Sequence, residues 1–300
     1  MKVIVTGASG QLGRLAAEQL LDRLSPAELI LVTRRPHALD DFAERGVEVR
    51  RGDFDEPASL TEAFTGGDRM LLISTLAIGS RIKQHESALA AAAAAGVTRV
   101  AYTSLTNPAA NHPTGDVAEE HRKTEELLQG GDLAWTVMRN APYAELQVPL
   151  GAIAVTYGKL VTNAGEGRIA PISRSDCAAA AAVVLTSDGH EGQTYEITGP
   201  EALSQLDIAR LFSEISGRPV DVIDSRDRRL LWGLTRLGTP KPVARAIVQL
   251  GVATREGYFD VVDPAFDTLV GRPPRTLREI LVEHRGELAA EETGPSVAYG

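Results

Sequence analysis

The chain has 300 residues, of which 43% are hydrophobic and 24% are charged, as in an ordinary globular protein. Its formal net charge of −9 and pI near 5.3 argue against a nucleic-acid partner, because nucleic-acid binding needs a basic surface. Cys177 is the only cysteine, which excludes an intramolecular disulfide, and the longest apolar runs are too short to span a bilayer. With no signal-peptide pattern at the start, these features predict a cytoplasmic protein without a membrane partner.

The first residues combine a strand-like run with regularly spaced glycines. The apolar residues 3–5 are followed by Gly7, Gly10 and Gly13, and residues 12–24 form an amphipathic stretch. Glycine permits positive φ and close approach of a ligand, while the free N–H groups at a helix start favour a pyrophosphate. Glycines often mark only a turn, and Gly13 falls inside the helix, where it allows close packing. A strand before the glycines and a helix after them predict a dinucleotide-binding turn.

Strand-like and helix-like runs alternate through the first half of the chain. The predicted strands are residues 3–5, 29–33, 47–50, 70–73, 97–102 and 135–138. The predicted helices between them are residues 37–45, 58–64, 80–95 and 117–128. Repeated β-α-β units with short links imply a parallel sheet covered by helices on both faces.

The rhythm changes after about residue 140. Further strands are predicted at residues 195–198 and 220–222, and helices at residues 204–216, 228–237, 243–250 and 276–283. The alanine-rich runs 88–95 and 177–185 are interpreted as helices packed close to the sheet. The predicted fold is α/β, a Rossmann doubly wound parallel sheet with a smaller, mostly helical C-terminal substrate domain. Residues 1–150 form the predicted NAD(P)-binding domain, to which 167–198 return, 151–286 the substrate domain, and 287–300 a flexible acidic tail.

An arginine pair follows the second predicted strand. Enzymes that choose the unphosphorylated dinucleotide usually place an acidic residue here, to hold the ribose 2′-hydroxyl. Arg34 and Arg35 suit a 2′-phosphate instead, through charge-assisted hydrogen bonds. The alternative is an exposed basic pair without a ligand. The position favours the phosphate, and therefore NADPH, with Arg34 as the main contact.

The other strand ends carry residues that suit a dinucleotide, because ligands of open parallel sheets bind at the carboxyl ends of the strands. These predicted cofactor contacts are Asp53, Phe54, Ser74, Thr75, Thr103, Ser104, Asn140, Ala141 and Tyr143. Asp53 suits an adenine amino group, with Phe54 against the ring, although a turn or helix-cap aspartate is the competing interpretation. The last strands would border the nicotinamide. Polar residues at strand ends are common, so each alone is weak evidence.

These residues belong to a longer pattern that resembles the NmrA-like, atypical branch of the short-chain dehydrogenase/reductases. Within that branch, the chain is most similar to the NAD(P)H:quinone oxidoreductase type 2 and triphenylmethane reductase group. The motifs that carry the resemblance are TGASGQLG at 6–13, RRGDF at 50–54, LLIS at 71–74, RIKQH at 81–85, AYTSL at 101–105, EEHRKTE at 119–125, MRNAPY at 138–143, VTNAGEGRIAPISRSD at 161–176, HEGQTYEITG at 190–199 and LVGRPPRTL at 269–277. The resemblance implies NADPH use, with contacts from Gly7, Ala8, Ser9, Gly10, Gln11, Leu12, Arg34, Ser74 and residues 140–143. Arg174 is a further predicted cofactor-site residue. It either holds its loop near the cofactor or simply pairs with Asp176.

A proton-donating pair common in the superfamily is missing. Better-known members carry Tyr-x-x-x-Lys on the helix after the fifth strand, where the tyrosine protonates a carbonyl oxygen. In this chain Val117 and His121 occupy the corresponding positions. Ketone reduction needs a strong, well-placed acid, whereas quinones and cationic dyes accept hydride and take a proton from water later. The predicted catalytic residues are His121, for protonation or ribose contact, and Tyr102 and Tyr143, for stacking on a flat acceptor.

The sequence thus predicts an NADPH-dependent reductase that transfers hydride directly to a quinone or similar flat acceptor, without flavin or metal. The six histidines show no metal-ligand spacing. The alternatives are a non-catalytic NADP(H)-binding redox sensor of the NmrA type and a dedicated tailoring reductase of a biosynthetic pathway. The predicted partner is a small quinone-like molecule, and an exposed helix pair is compatible with a homodimer.

Overall fold

The structure, a computed structural model, describes residues 1–288 of the chain. Its eleven strands in this range are β1 (Val3–Val5), β2 (Leu29–Thr33), β3 (Glu48–Arg51), β4 (Arg69–Leu72), β5 (Arg99–Leu105), β6 (Ala134–Asn140), β7 (Lys159–Thr162), β8 (Arg168–Ile169), β9 (Gln193–Ile197), β10 (Leu203–Ser204) and β11 (Asp221–Asp224).

Thirteen α-helices connect or cover these strands within the same residues. They are α1 (Gln11–Leu21), α2 (Asp40–Glu44), α3 (Leu60–Phe64), α4 (Arg81–Ala94), α5 (Asp116–Gln129), α6 (Gln147–Tyr157), α7 (Arg174–Thr186), α8 (Gln205–Ser216), α9 (Asp227–Arg236), α10 (Lys241–Arg255), α11 (Ala265–Val270), α12 (Leu277–Glu283) and α13 (Arg285–Leu288). Short 3₁₀ turns occupy Pro26–Glu28, Pro36–Leu39, Pro57–Ser59 and Ala144–Leu146.

Seven strands form one parallel sheet in the order β3-β2-β1-β4-β5-β6-β9. Ile4 of β1 lies between Ile30 of β2 and Met70 of β4. The chain runs outward from β1 to β3 and then crosses back to β4, so the strand order reverses between β1 and β4. Ligands of open α/β sheets bind at the carboxyl ends of the strands at such a point. The prediction of a Rossmann doubly wound sheet is confirmed.

Helices cover both faces of this sheet, as parallel strands buried on both sides require. On one face α1 and α7 pack together, and Ala178, Ala180 and Ala182 of α7 are fully buried there. Their small side chains let the two helices approach closely. On the other face α3, α4 and α5 cover a core that includes Tyr102.

A third core lies among the C-terminal elements. It forms between α6, α8 and α12, with Phe212 and Leu281 fully buried. Beside it β7 pairs with β11 in parallel, and β8 pairs with β10 in antiparallel. Strand β9 nevertheless returns to the main sheet beside β6. The division of the chain into two domains stays a prediction.

Several predicted elements need correction. The helix predicted at residues 37–45 is a 3₁₀ turn followed by the five-residue helix α2. Helices α6 and α11 and strands β7, β8 and β10 were not predicted, because α6 has no clear apolar stripe and the strands are short and pair at long range. Residues 287 and 288, predicted as the start of the tail, end helix α13, and Leu288 is buried in the third core. Residues 289–300 of the predicted tail lie outside the described residues.

The contact between α1 and the turn after β1 predicts a large effect of one added methyl group. A Cβ on Gly13 would lie 2.4 Å from the Gly7 carbonyl oxygen and 2.7 Å from Ala8 Cα. We expect Gly13→Ala to lower the free energy of unfolding by about 1–3 kcal/mol and to weaken dinucleotide binding, because helix and turn must separate. Urea unfolding and ligand titration measure the two effects.

Gly233→Ala is the matched control, since nothing lies within 4 Å of a Cβ at this helical position. It should leave stability unchanged or raise it by about 1 kcal/mol through helix propensity. Wild-type stability and binding in Gly13→Ala would contradict the packing argument.

Candidate active site at the carboxyl edge of the sheet

The turn between β1 and α1 presents free backbone donors at the edge of the sheet. Gly7 has φ +61°, and its carbonyl accepts a hydrogen bond from Gly10 N–H at 2.9 Å. Ala8 N–H donates to the Val32 carbonyl at 3.1 Å, which fixes the turn against β2. Gly10 precedes α1 and gives it no side-chain cap. The first N–H groups of α1 therefore remain available for an anion.

The predicted arginine pair lies beside this turn. Ser9 Oγ and Thr33 Oγ1 are 2.8 Å apart, and Thr33 Oγ1 also accepts from Arg35 N–H at 3.2 Å. Arg34 and Arg35 are exposed, and among residues 1–288 neither guanidinium forms an ion pair. Nearby Arg14, in contrast, is paired with Asp41. The pair at the end of β2 is thus an accessible positive site.

Asp53 and Phe54 follow the end of β3, as predicted. Asp53 stabilises a turn there, which was the competing interpretation of this residue. Asp53 Oδ1 accepts from Asp55 N–H at 3.0 Å, and Asp53 N–H donates to Ser59 Oγ at 3.0 Å. Phe54 is half-buried and contacts His85 edge-on, with ring centroids 6.3 Å apart. Asp53 Oδ2 remains for a ligand.

Hydroxyl groups join the ends of β1, β4 and β5. Thr6 Oγ1 donates to the Leu71 carbonyl and accepts from Ile73 N–H, both at 3.1 Å. Ser74 N–H donates to Thr103 Oγ1 at 2.9 Å. Thr75 turns away, because its hydroxyl donates to Gln84 Oε1 at 2.7 Å. The three strand ends are therefore held together where the strand order reverses.

A partly buried ion-pair network fixes the ends of β5, β6 and β9. Arg139 makes two hydrogen bonds to Glu125, at 3.0 and 2.7 Å, and lies 3.3 Å from Glu196. Ser104 Oγ donates to Glu125 Oε1 at 2.5 Å, so this predicted cofactor contact has its hydroxyl occupied. Burial raises the pKa of Glu196, although Thr106 and Arg139 bond to its carboxylate and oppose the shift.

Asn140, at the end of β6, has a buried side-chain amide whose hydrogen-bonding groups are left available to a ligand. The residue is 4% exposed, and in the described part of the chain neither Oδ1 nor Nδ2 makes a hydrogen bond of normal geometry, although the Tyr143 phenol lies close enough for the amide to oppose the rise of its pKa. Ala141 N–H donates to the Ile197 carbonyl at 2.9 Å, which fixes the backbone just after it. A buried amide left without partners is unfavourable by about 1–3 kcal/mol, so this position fits a ligand with both a donor and an acceptor.

Tyr143 lies under a cation. The Arg174 guanidinium is 4.5 Å from the centroid of the Tyr143 ring, within the range of a cation–π interaction. Glu145 holds Arg174 in place, accepting from its backbone N–H at 2.8 Å and from its guanidinium at 3.3 Å. Burial raises the pKa of the Tyr143 phenol, which therefore stays protonated. Arg174 does not pair with Asp176, whose carboxylate instead accepts from Arg272 at 2.8 Å.

Tyr102 lies in the core between the sheet and helices α4 and α5, and its predicted stacking role is corrected. The residue is fully buried, and its hydroxyl is 2.8 Å from His121 Nδ1. Strand alternation turns Tyr102 away from the opposite core, which contains its neighbour Ala101. The ring therefore has no free face for an acceptor.

His121 is neutral in this setting. Burial lowers the pKa of its imidazole well below 6.5, and Arg81 and His85 lower it further. Burial also raises the pKa of Tyr102, so the phenol keeps its proton. The Tyr102 hydroxyl and His121 Nδ1, both neutral, share one hydrogen bond at 2.8 Å.

The hydrogen bonds of His85 show which ring nitrogen carries its proton. Its Nε2 accepts from Thr75 N–H at 3.3 Å, so Nδ1 carries the proton and donates to Thr124 Oγ1 at 3.0 Å. The Thr124 hydroxyl in turn donates to the Glu120 carbonyl at 2.8 Å. Burial lowers the pKa of His85 to about 3, with Arg81 adding to the shift.

Sequence reasoning missed the residues that hold this site together, namely Thr6, Glu125, Arg139 and Glu145. Each lies inside or close to one of the motifs that carry the family resemblance, and this position was the only indication in the sequence that these residues contribute to the site. Their pairings span 14 to 67 residues and are not visible in local patterns. Among residues 1–288 there is also no group of three histidine, cysteine or acidic residues arranged to hold a metal ion.

A Rossmann sheet with a glycine turn, an accessible basic pair and an unpaired buried amide at its carboxyl edge defines a dinucleotide-binding protein. Comparison with family models agrees, since residues 7–188 match the NAD(P)H-binding family. The chain belongs to this family.

Individual relatives of this chain within the dinucleotide-binding proteins are oxidoreductases. Quinone oxidoreductase 2 of Escherichia coli is 34% identical over 278 residues, which cover 92% of this chain and 96% of that protein. The crystal structure of that NADPH-dependent quinone oxidoreductase in complex with NADPH superposes with a TM-score of 0.90, covering 94% of this chain and 99% of that one at 33% identity. The Citrobacter sp. triphenylmethane reductase complexed with NADP(H) gives a TM-score of 0.87, covering 95% and 100% at 31% identity.

These findings confirm the predicted resemblance and the prediction of an NAD(P)H-dependent oxidoreductase. The nicotinamide dinucleotide predicted as cofactor is confirmed as well, through the family. No comparison tests the role of a single residue, so the site residues stay predictions. No helix within residues 1–288 combines the length and apolar character needed to cross a bilayer.

The neutral state of His85 predicts a pH dependence of stability. Its pKa is about 3 in the folded protein and 6.5 when free, so between these values the unfolded chain binds more protons. Stability contributed by the neutral ring is therefore complete above pH 6.5 and is lost as pH falls toward 3. We expect His85→Gln to reduce the slope of unfolding free energy against pH in this window by about 1.4 kcal/mol per pH unit.

Urea unfolding at a series of pH values measures the slope. His37→Gln is the control, because the His37 side chain is 97% exposed and should leave the slope unchanged. Equal slopes for wild type and His85→Gln would contradict a neutral buried His85.

Proposed function

We propose that the protein is an NADPH-dependent reductase that transfers hydride directly to a quinone or a similar flat, electron-poor acceptor. The observation that carries the proposal is the buried, unpaired amide of Asn140 at the end of β6. The carboxamide of a nicotinamide offers one donor group and one acceptor group, which suit the two unpaired groups of Asn140. Tyr143 lies three residues further, at the bend where Ile172 N–H bonds to the Pro142 carbonyl.

The other contacts of the cofactor follow the strand ends. The first N–H groups of α1 and the turn before it suit the pyrophosphate, and the arginine pair suits the 2′-phosphate. Asp53 Oδ2 and Phe54 suit the adenine. The remaining contacts proposed for the riboses and the nicotinamide are Ser74, Thr103, Asn140, Ala141 and Tyr143.

When bound, NADPH supplies a hydride, and the overall reaction is NADPH plus a proton plus quinone to NADP⁺ plus hydroquinone. The chain's own part is to hold and orient the acceptor. Arg174 covers one face of the Tyr143 ring, and the partly exposed part of this side chain is the proposed contact for a flat acceptor. Glu145 keeps Arg174 on that face through two hydrogen bonds.

Protonation by the chain is weak, and this favours quinones over ketones. His121 is neutral, so it offers an N–H donor rather than an acidic imidazolium. Tyr102 is buried and bonded to His121, with a raised pKa, so it is a poor acid as well. A quinone needs no strong protein acid, because hydride transfer leaves an aromatic, resonance-stabilised hydroquinone anion, which is far less basic than the alkoxide from a ketone and takes a proton from solvent afterwards.

The choice between NADPH and NADH is testable at Arg34. A charge-assisted hydrogen bond to the 2′-phosphate contributes about 1.5–3 kcal/mol, so Arg34→Ala should raise the dissociation constant of NADPH about 10- to 150-fold. The dissociation constant of NADH should stay nearly unchanged. Fluorescence titration measures both, with Arg23→Ala as the control, an exposed arginine just after the end of α1 rather than after the end of β2. An equal loss for both cofactors would show that Arg34 does not read the phosphate.

The activity itself is tested by NADPH oxidation with purified protein and a panel of quinones, run beside NADH. We expect acceptor-dependent turnover with NADPH preferred, and a kcat without a titration near neutral pH, because His121 is already neutral. Tight NADPH binding without reduction of any acceptor would contradict the proposal and favour a redox sensor. The cytoplasmic location and the homodimer stay predictions.

A further inference from the structure

Helix α9 presents an unusual outer face. Arg228, Trp232 and Arg236 follow each other at intervals of four residues and so form one row along the helix, with Arg229 beside them. We call these four residues the α9 outer face. Trp232 is 60% exposed, and the three arginines are exposed as well. Leu230, the buried residue of this helix, lies on the opposite side.

The surroundings of this face are basic, although the chain is acidic overall. Residues 226–245 contain six cationic side chains and one acidic residue, whereas the whole chain has a formal charge of −9. Within residues 1–288 none of the six forms an ion pair. The one acidic residue, Asp227, is occupied by Arg255 at 3.1 Å and Asn163 at 2.8 Å. The nearest acidic residues in the chain are Asp221 and Asp224 on β11.

The helix pair α9–α10 is anchored from its inner side. Asn163 is buried, and its Nδ2 donates to Asp227 Oδ1 and to the Val248 carbonyl at 3.0 Å. Gly251 allows this approach, since a Cβ there would lie 1.8 Å from Asn163 Oδ1. The outer face takes no part in these contacts, and Leu237, at the end of α9, is 81% exposed.

We propose that the α9 outer face is a peripheral docking surface for an anionic lipid bilayer. Arg228, Arg229 and Arg236 bind lipid phosphates, while Trp232, whose ring centroid lies 5.0 Å from the Arg236 guanidinium, enters the boundary between headgroups and acyl chains. Exposed tryptophan among arginines is the composition that partitions to this boundary. A nucleic acid or an acidic protein surface would use the arginines but would not draw the exposed Trp232 ring into an apolar environment.

The sequence analysis predicted no membrane partner, because no segment is long enough to span a bilayer. Peripheral docking needs no such segment. Helix α10 also passes the substrate side, since Gln249 Nε2 lies 3.9 Å from where a Cβ of Gly115 would be, and Gly115 precedes the helix that carries His121. If the proposed function holds, docking would bring the site close to acceptors dissolved in the membrane. The docking itself does not depend on that function.

Co-sedimentation with lipid vesicles tests the proposal on the full chain. We expect binding to vesicles of equal parts phosphatidylglycerol and phosphatidylcholine at about 0.1 M salt, and little binding to phosphatidylcholine alone. The triple variant Arg228→Gln, Arg229→Gln, Arg236→Gln should bind about 100-fold more weakly, at about fivefold for each arginine. The charge-matched control Arg23→Gln, Lys83→Gln, Arg218→Gln, of exposed cations elsewhere, should bind like wild type.

A measurement of Trp232 insertion distinguishes binding to a bilayer from binding to another polyanion. The chain has two tryptophans, so Trp135→Phe leaves Trp232 as the only emitter. Its fluorescence should shift to the blue on anionic vesicles and be quenched by lipids with brominated acyl chains. Trp232→Ala should weaken vesicle binding at least about tenfold, in a protein with intact Trp135.

Three results would overturn the proposal. They are absence of binding to the anionic vesicles at low salt, equal binding of the triple variant and the charge-matched control, and binding that leaves Trp232 fluorescence unchanged. The last result, together with binding to a DNA duplex at the same salt, would assign the face to a nucleic acid instead. All three readouts are independent of reductase activity, so they hold whether or not a quinone is reduced.

Discussion

The site depends on how closely α1 approaches the turn after β1. Because Gly13 has no side chain, the helix lies against the Gly7 carbonyl and Ala8, where a Cβ would be 2.4 Å from the carbonyl oxygen. The first N–H groups of α1 thereby reach the carboxyl edge of the sheet at the point of reversed strand order. Thr6 then joins the end of β1 to the end of β4. One backbone contact thus positions the helix N–H groups proposed to hold a phosphate.

A second constraint is the layer of polar side chains buried between the sheet and helices α4 and α5. Burying a charged imidazole there is unfavourable, so His85 and His121 stay neutral, and His85 uses its ring proton as a hydrogen-bond donor to Thr124. Within this layer Tyr102 and His121 form a hydrogen-bonded pair with little acidity. This suits an acceptor that takes hydride first and a proton from water afterwards.

The arginines of the chain fall into two groups: some are paired with carboxylates and hold the fold together, and others have no acidic partner within residues 1–288 and are accessible to a ligand. Arg139, Arg174 and Arg272 are all paired with carboxylates, which position the ends of β6 and α7 and the C-terminal segment. The arginines after β2 and on the outer face of α9 have no such partners within residues 1–288. In a chain with nine excess negative charges, clusters of accessible arginines at these two places favour binding of anions at both.

The sequence by itself determined the alternation of strands and helices, the glycine turn, and which residues follow each strand. Local periodicity and the connection rule of β-α-β units suffice for this, since all carboxyl ends of a parallel sheet meet at one edge. Only the tertiary structure decided that Tyr102 is buried under α4 and α5, because strand alternation defines two faces but not what covers them. It also decided the pairing of β7 with β11 and of Asp176 with Arg272, 96 residues apart. Contacts at that separation depend on packing of the whole chain, and so do the protonation states of buried histidines.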